Sequence, residues 1–252
     1  MRANYSSLAE RGAVVTGGAS GIGAACVEAL AAQGVAVAVL DRDEQAGGEL
    51  LAKLGFQGRS ASFRKVDLRD VERLEHTLTE LVAEMPPIRV LVNTAARDDR
   101  HRPEEVTLER WDDIQATSLR HVFFATKTLA PAMAEAGGGS VINFSSTCWI
   151  RKSPNLTGYA TAKAGVVGMS RALAREYGPQ NIRVNVVTPG WVMTQRQRDL
   201  WLTPEGEQKL LDEQCLKTTI APEDVAELVN FLASDSSRMI TSQTLTIDAG
   251  WT

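Results

Sequence analysis

Tyr159 and Lys163 stand four residues apart in a stretch with helical periodicity, so their side chains share one face. The pairing has a chemical use. A free tyrosine keeps its proton to a pH of about 10 and is idle as a base at neutral pH. A neighbouring ammonium favours the phenolate, lowers that value and turns the tyrosine into an acceptor for an alcohol proton. Tyr-x-x-x-Lys occurs often by chance, but here it follows Ser145-Ser146, which close the apolar run Val141 to Phe144. Hydroxyls at the end of a buried strand lie where α/β sheets gather their reactive residues.

A second cluster is built to bind. Thr16-Gly17-Gly18-Ala19-Ser20-Gly21-Ile22-Gly23 follows an apolar strand and opens a helix. Glycines at 17, 21 and 23 let the backbone turn tightly and approach a pyrophosphate with no Cβ in the way. The helix N-terminus offers free N–H groups and the positive end of its dipole. The spacing is G-x3-G-x-G rather than the generic G-x-G-x-x-G, and a glycine-rich turn without ligand is the alternative reading. Asp41 ends the next strand, 18 residues after Gly23. Its carboxylate can accept hydrogen bonds from ribose hydroxyls and repel a 2′-phosphate, which favours NAD. Arg42 beside it can accommodate that phosphate, so NADP stays open.

These residues need a frame. Ala13-Val15, Val35 to Leu40, Val90-Val92, Val141 to Phe144, Val184 to Val187 and Leu245-Ile247 read as strands, with a weaker one over Phe63 to Val66 that Arg64 and Lys65 interrupt. Apolar character on both faces indicates a buried parallel sheet. Helical patterns alternate with them over Gly21 to Gly34, Glu44 to Leu54, Val71 to Glu84, Leu108 to Ala136, Gly158 to Tyr177 and Pro222 to Ala233. The alternation predicts an α/β fold, a Rossmann-type doubly wound parallel sheet with helices on both faces. No linker or repeat divides the chain, so residues 1–252 are expected to form a single domain. The long, mostly polar stretch over about 193–217 breaks the rhythm at a strand's C-terminal end, where a substrate lid is expected.

Of the 252 residues 44% are hydrophobic and 23% charged, an ordinary globular composition. The 27 basic and 31 acidic residues leave a net charge of -4 with no basic run, which argues against nucleic acid as a partner. Arg97 to Arg102 comes nearest, and Asp98 and Asp99 interrupt it. Cys26, Cys148 and Cys215 form no CxxC, and His76, His101 and His121 show no zinc spacing with them, so no metal site is expected. Apolar runs fall far short of the about 20 residues of a membrane span. The N-terminus lacks the apolar stretch of a signal peptide. A soluble, cytoplasmic protein without a membrane partner is the expectation. His101 and His121 read first as hydrogen-bonded structural residues, and Cys215 as a packed thiol.

Taken together, these motifs resemble the short-chain dehydrogenases/reductases over essentially the whole chain. The resemblance implies a nicotinamide dinucleotide held by Gly17, Ser20, Gly21, Ile22 and Gly23, with Asp41 at the ribose and Asp67 and Leu68 at the adenine. It places Asn93 and Ala95 along the cofactor, and Pro189, Gly190, Val192 and Thr194 at the nicotinamide carboxamide. Ser146 lies 13 residues before Tyr159, the family's spacing, so Ser146 rather than Ser145 takes the catalytic serine role. Tyr159 is implied as the base, and Lys163 as the group that lowers its pKa and binds the nicotinamide ribose. Two positions depart from the pattern. N-N-A-G reads Asn93-Thr94-Ala95-Ala96, and the family's Asn in a long helix is Ser118, a shorter side chain with one donor.

A narrower resemblance, to bacterial aldose 1-dehydrogenases, rests on Asp98-Asp99-Arg100-His101, Leu119-Arg120-His121, Thr203 to Glu207 with Gln214 to Lys217, and the ending Asp248-Ala249-Gly250-Trp251. It implies oxidation of a pentose or hexose, such as D-xylose, L-arabinose, D-galactose or L-fucose, at C1 to the lactone. It further implies a small-molecule sugar substrate and a homotetramer, with Trp251 as a subunit contact. Trp149 and Trp191 offer aromatic surface for the C–H face of a sugar, and His101 stands with them as a substrate contact. Core or subunit packing is the alternative for both tryptophans. A dehydrogenase of other secondary alcohols, a 3-oxoacyl thioester reductase and a non-catalytic nucleotide-binding protein remain as other readings.

Overall fold

All five residues of strand β1 (Gly12–Thr16) are buried, because the two faces of the strand meet two different apolar layers. Ala13 and Val15 point into one layer and Val14 into the other, as alternation along a strand dictates. A computed structural model describes residues 3–252. After β1 come α1 (Gly21–Ala32), β2 (Ala36–Asp41), α2 (Glu44–Phe56), β3 (Ala61–Lys65), α3 (Val71–Glu84) and β4 (Ile88–Asn93). Next are α4 (Leu108–Gln115), α5 (His121–Glu135), β5 (Gly139–Phe144), α6 (Thr157–Tyr177) and β6 (Ile182–Pro189). The chain closes with α7 (Gln195–Leu200), α8 (Pro204–Glu213), α9 (Pro222–Ala233) and β7 (Thr244–Ile247).

The strands form one parallel sheet in the order β3-β2-β1-β4-β5-β6-β7. Helices α1, α2 and α9 cover one face; α3, α5 and α6 cover the other. The direction of winding reverses between β1 and β4, which opens a crevice beyond their C-terminal ends. This is the doubly wound sheet the sequence predicts.

Three elements differ from expectation. β3 lies at Ala61–Lys65 and is nowhere fully buried: it is an edge strand, so Arg64 and Lys65 face solvent and pair with Glu84 and Glu44. The helix expected over Leu108 to Ala136 is interrupted by a π-helical turn at Ala116–Arg120, whose extra residue rotates α5 relative to α4 and buries Ser118. The polar stretch after β6 holds two short helices, each capped by a threonine side chain: Thr194 accepts from Gln197 N–H and Thr203 from Gly206 N–H.

Candidate active site

The turn after β1 requires its glycines. Gly17 has φ of 67°, and a Cβ on Gly23 would lie 2.0 Å from the Gly17 carbonyl oxygen. A Cβ on Gly21 would press on the Thr194 methyl at 3.2 Å, so the start of α7 closes down on the turn. Asp41 fixes the turn from β2: one carboxylate oxygen accepts the Ala19 N–H at 3.1 Å and the other the Asp43 N–H at 3.1 Å. Both oxygens keep further lone pairs for hydroxyl donors.

The turn forms one end of a cleft of about 440 Å³, lined by Gly17, Ser20, Ile22 and Gly23, by Asp41, Asp67 and Leu68, and by Ala95, Tyr159 and Thr194. Free N–H groups at a helix start, a carboxylate and a long groove suit a dinucleotide. Asp67 is committed to Arg69, whose guanidinium holds its carboxyl down at about 2. Arg69 reaches Asp113 as well, at 2.7 Å, and lines the same groove. The Asn93 side chain is buried, donates to Asn143 Oδ1 at 2.9 Å and accepts from Thr16 Oγ1, tying β1, β4 and β5 together. Val192 is buried and pairs with Ile220, and Gly190 packs so closely on Asp248 that a Cβ would sit 2.8 Å from it. Pro189 and Gly190 therefore place the chain, while Thr194 reaches the cleft.

The reactive side chains converge at the ends of β5 and α6. The Ser145 hydroxyl donates to the Lys163 carbonyl at 2.8 Å and receives the Trp149 indole N–H at 3.2 Å, so it is used in structure. The Ser146 oxygen accepts the Cys148 N–H at 3.2 Å, and its hydroxyl lies within hydrogen-bond reach of Tyr159. Lys163 is 2% exposed, donates to the Phe144 carbonyl at 2.9 Å, and its Nζ lies 5.7 Å from the Tyr159 ring centre. Burial lowers the Lys163 ammonium to about 8. Tyr159 corrects the expectation of a depressed pKa. Burial first, and then the charges that Cys148, once ionised, and Asp98 place nearby, push its phenol above the ordinary range, with a Ser146 hydrogen bond pulling the other way. Desolvation of the phenol is the largest effect in the chain alone.

Ser118 is fully buried and its hydroxyl has no hydrogen-bond partner. One turn on, neither ring nitrogen of the buried His121 has one, and desolvation followed by the Lys163 charge depresses its imidazole to about 3. His101 is hydrogen-bonded through both ring nitrogens and 2% exposed, so it has no ring nitrogen to offer a sugar. Trp149 spends its N–H on Ser145, and its ring is 38% exposed outside the cleft lining. Trp191 packs beside Gly206 of α8 and donates to Gln197 Oε1 at 2.9 Å. Cys215 is exposed rather than packed. Trp251 is covered within the chain by the Arg151 guanidinium, 3.4 Å from its ring centre.

Sequence reasoning missed the wall opposite the glycine turn. Arg97, Asp98, Arg196 and Gln197 line the cleft, joining the segment after β4 to α7. Arg196 bonds Asp99 and Gln197 bonds Asp98, each at 2.7 Å, and Arg100 stacks 4.2 Å from the Trp201 ring centre. The signals for it were the alternation of Arg and Asp over 97–102 and the lid expected over about 193–217, which did not show that the two would meet. Among the described residues, no helix is long and apolar enough to cross a membrane.

A family model described as enoyl-(acyl carrier protein) reductase matches residues 17–252. Over 247 residues the chain is 46% identical to a Rhizobium meliloti (strain 1021) protein named probable galactose dehydrogenase GalD, covering 98% of this chain and 96% of that one. It is 45% identical to the D-xylose 1-dehydrogenase of Caulobacter vibrioides (strain NA1000 / CB15N), covering 98% of each. A solved structure from Beutenbergia cavernae, described as a candidate NAD(P)-dependent gluconate 5-dehydrogenase with NADP at low occupancy, superposes with a TM-score of 0.91. It is 33% identical and covers 97% of this chain and 98% of its own.

Proposed function

The chain belongs to the short-chain dehydrogenase/reductase family, whose members are NAD(P)-dependent oxidoreductases acting on CH–OH groups, and from that premise we propose that it oxidises an aldose at C1 to the lactone with NAD. The observation that carries the sugar reading is the substrate side of the cleft. Arg97, Asp98, Arg196 and Gln197 surround the approach to Tyr159, a wall that suits a polyol and not an acyl chain. The two relatives named for galactose and D-xylose support the same substrate class.

In this reading Tyr159 accepts the proton of the C1 hydroxyl. Ser146, within hydrogen-bond reach of Tyr159, turns its hydroxyl to the same oxygen and fixes its position. Lys163, anchored on the Phe144 carbonyl, keeps two N–H donors for the nicotinamide ribose and for passing the proton onward. An oxidised nicotinamide supplies the hydride acceptor and a positive charge, which the raised pKa of Tyr159 requires. The glycine turn holds the pyrophosphate at the start of α1, and Ala95 and Thr194 border the same groove. Asp41 favours NAD. Arg69 is occupied by two carboxylates, which leaves Arg42 as the side chain for a 2′-phosphate. Helices α7 and α8 act as the substrate lid of a single domain. Leu108 and Phe123, exposed on α4 and α5, support assembly as a homotetramer.

The test is an NAD reduction screen across pentoses, hexoses and deoxyhexoses. Turnover of aldoses is expected. Turnover confined to alicyclic alcohols or 3-oxoacyl thioesters would replace the sugar reading, and NAD binding without turnover of any alcohol would replace catalysis itself.

A further inference from the structure

Three side chains from three parts of the fold form a hydrogen-bonded row beside the reactive centre. Trp191, just after β6, donates its indole N–H to Gln197 Oε1 at 2.9 Å. Gln197, on α7, donates from Nε2 to Asp98 Oδ2 at 2.7 Å. Asp98 lies in the segment after β4 and, with Gln197 and Tyr159, lines the cleft.

The ion-pair latch between α7 and this segment rests mainly on Asp99 rather than Asp98. Arg196 makes its short contact with Asp99 at 2.7 Å, and Asp99 pairs with Arg97 at 2.7 Å as well. Asp98 lies 3.6 Å from the Arg196 Nε. A carboxylate offers about four acceptor sites, and one N–H of Gln197 uses one of them. The side chain is 26% exposed, so the remaining capacity is open to the cleft. Proton abstraction gains nothing from this charge, since it makes the Tyr159 phenol harder to ionise. A carboxylate that opposes the base, and on which the latch does not mainly rest, has a use left in recognising donors.

We propose that Asp98 is a substrate-recognition residue: its carboxylate accepts hydrogen bonds from hydroxyls of a polyol bound beside Tyr159, and Gln197 holds it there from α7. This rests on the aldose reading and deepens it. An alcohol without neighbouring hydroxyls would leave the carboxylate covered and unpaired, so the same residue that selects polyols rejects apolar chains.

The experiment compares an aldose that the wild type oxidises with its monodeoxy analogues, in wild type, Asp98→Asn, Asp98→Ala and Gln197→Ala. In the wild type, removing the hydroxyl that meets Asp98 lowers kcat/KM on the order of 10- to 100-fold, the usual range for a bond to a charged acceptor. In Asp98→Ala the parent sugar suffers a comparable loss, mainly through KM, and the penalty at that one deoxy position vanishes while the others persist. Asp98→Asn, which preserves shape and can still accept from Gln197, shrinks the same penalty, and Gln197→Ala weakens it. NAD affinity stays at the wild-type value in the folded variants. Deoxy penalties unchanged by Asp98→Ala and Asp98→Asn overturn the assignment while leaving the aldose reading intact. A wild type that oxidises no aldose overturns both.

Discussion

His101 Nε2 accepts the backbone N–H of Gly158 at 3.3 Å, one residue before Tyr159, while Nδ1 donates to the Asp99 carbonyl at 2.9 Å. The first turn of a helix has N–H groups with no partner inside the helix, and here an imidazole from the segment after β4 supplies one. His101→Phe keeps much of the volume and removes both bonds. The expected cost is about 1–3 kcal/mol, seen by calorimetry as a melting point lower by roughly 2–4 °C for each kcal/mol. kcat should fall as well, because the displaced turn carries Tyr159. An unchanged melting point would show that the helix start needs no such anchor.

Tyr159→Phe removes one hydroxyl from the half-buried ring. Turnover should drop on the order of 100-fold or more, the contribution of a positioned general base, while NAD titration gives the wild-type affinity. A variant retaining a sizeable fraction of activity would reassign the base.

Asp41→Ser should narrow the preference for NAD over NADP, read as the ratio of kcat/KM values, by on the order of 10-fold. Serine preserves one acceptor for the Ala19 N–H, so the glycine turn should survive. Equal use of both cofactors by the wild type would assign the ribose end of the groove to Arg42.

Ser118→Ala should lower kcat on the order of 10-fold with little change in KM, as expected for one lost hydrogen bond in a proton path. Ser118→Asn should be tolerated, since the unpaired nitrogens of His121 offer the amide a partner. A silent alanine variant would mean that the proton leaves Lys163 by another path.

Lys163 gives a stability signature in the cofactor-free protein. Its pKa falls from 10.5 unfolded to about 8 folded. Between those values the unfolded chain binds more protons, so stability rises with pH; below about 8 the full cost of burying the ammonium is present. Cys26 acts in the opposite sense from about pH 9 upward, because its thiol is raised from 9.0 to about 12 and the folded state keeps a proton the unfolded chain releases. Urea midpoints should therefore climb between pH 8 and 9. Lys163→Met should remove the climb and stabilise the protein at pH 7 by at most about 3 kcal/mol. Identical slopes for the two proteins would refute a buried, charged Lys163.

Much of the candidate site was legible in the sequence because its logic is local. The glycine turn, the four-residue step from Tyr159 to Lys163 and the apolar strands are set by backbone geometry and periodicity within a few residues. The extra residue in the π-helical turn at Ala116–Arg120 was not legible, since an apolar pattern of this length fits a continuous helix equally well. Ser118, flagged for its type, became informative only once its burial without a partner was known.

The sequence by itself determined which elements form, the glycine turn that opens α1 and the pairing of Tyr159 with Lys163 on one helix. Tertiary structure decided the rest, because those properties belong to pairs far apart in the chain. Asp98 meets Gln197, His101 meets Gly158, and Asp67 shares the Arg69 guanidinium with Asp113. The direction of the Tyr159 shift is of the same kind. Spacing predicts that an adjacent ammonium lowers it, yet the packed chain removes water from the phenol and brings Cys148 and Asp98 near, and desolvation dominates.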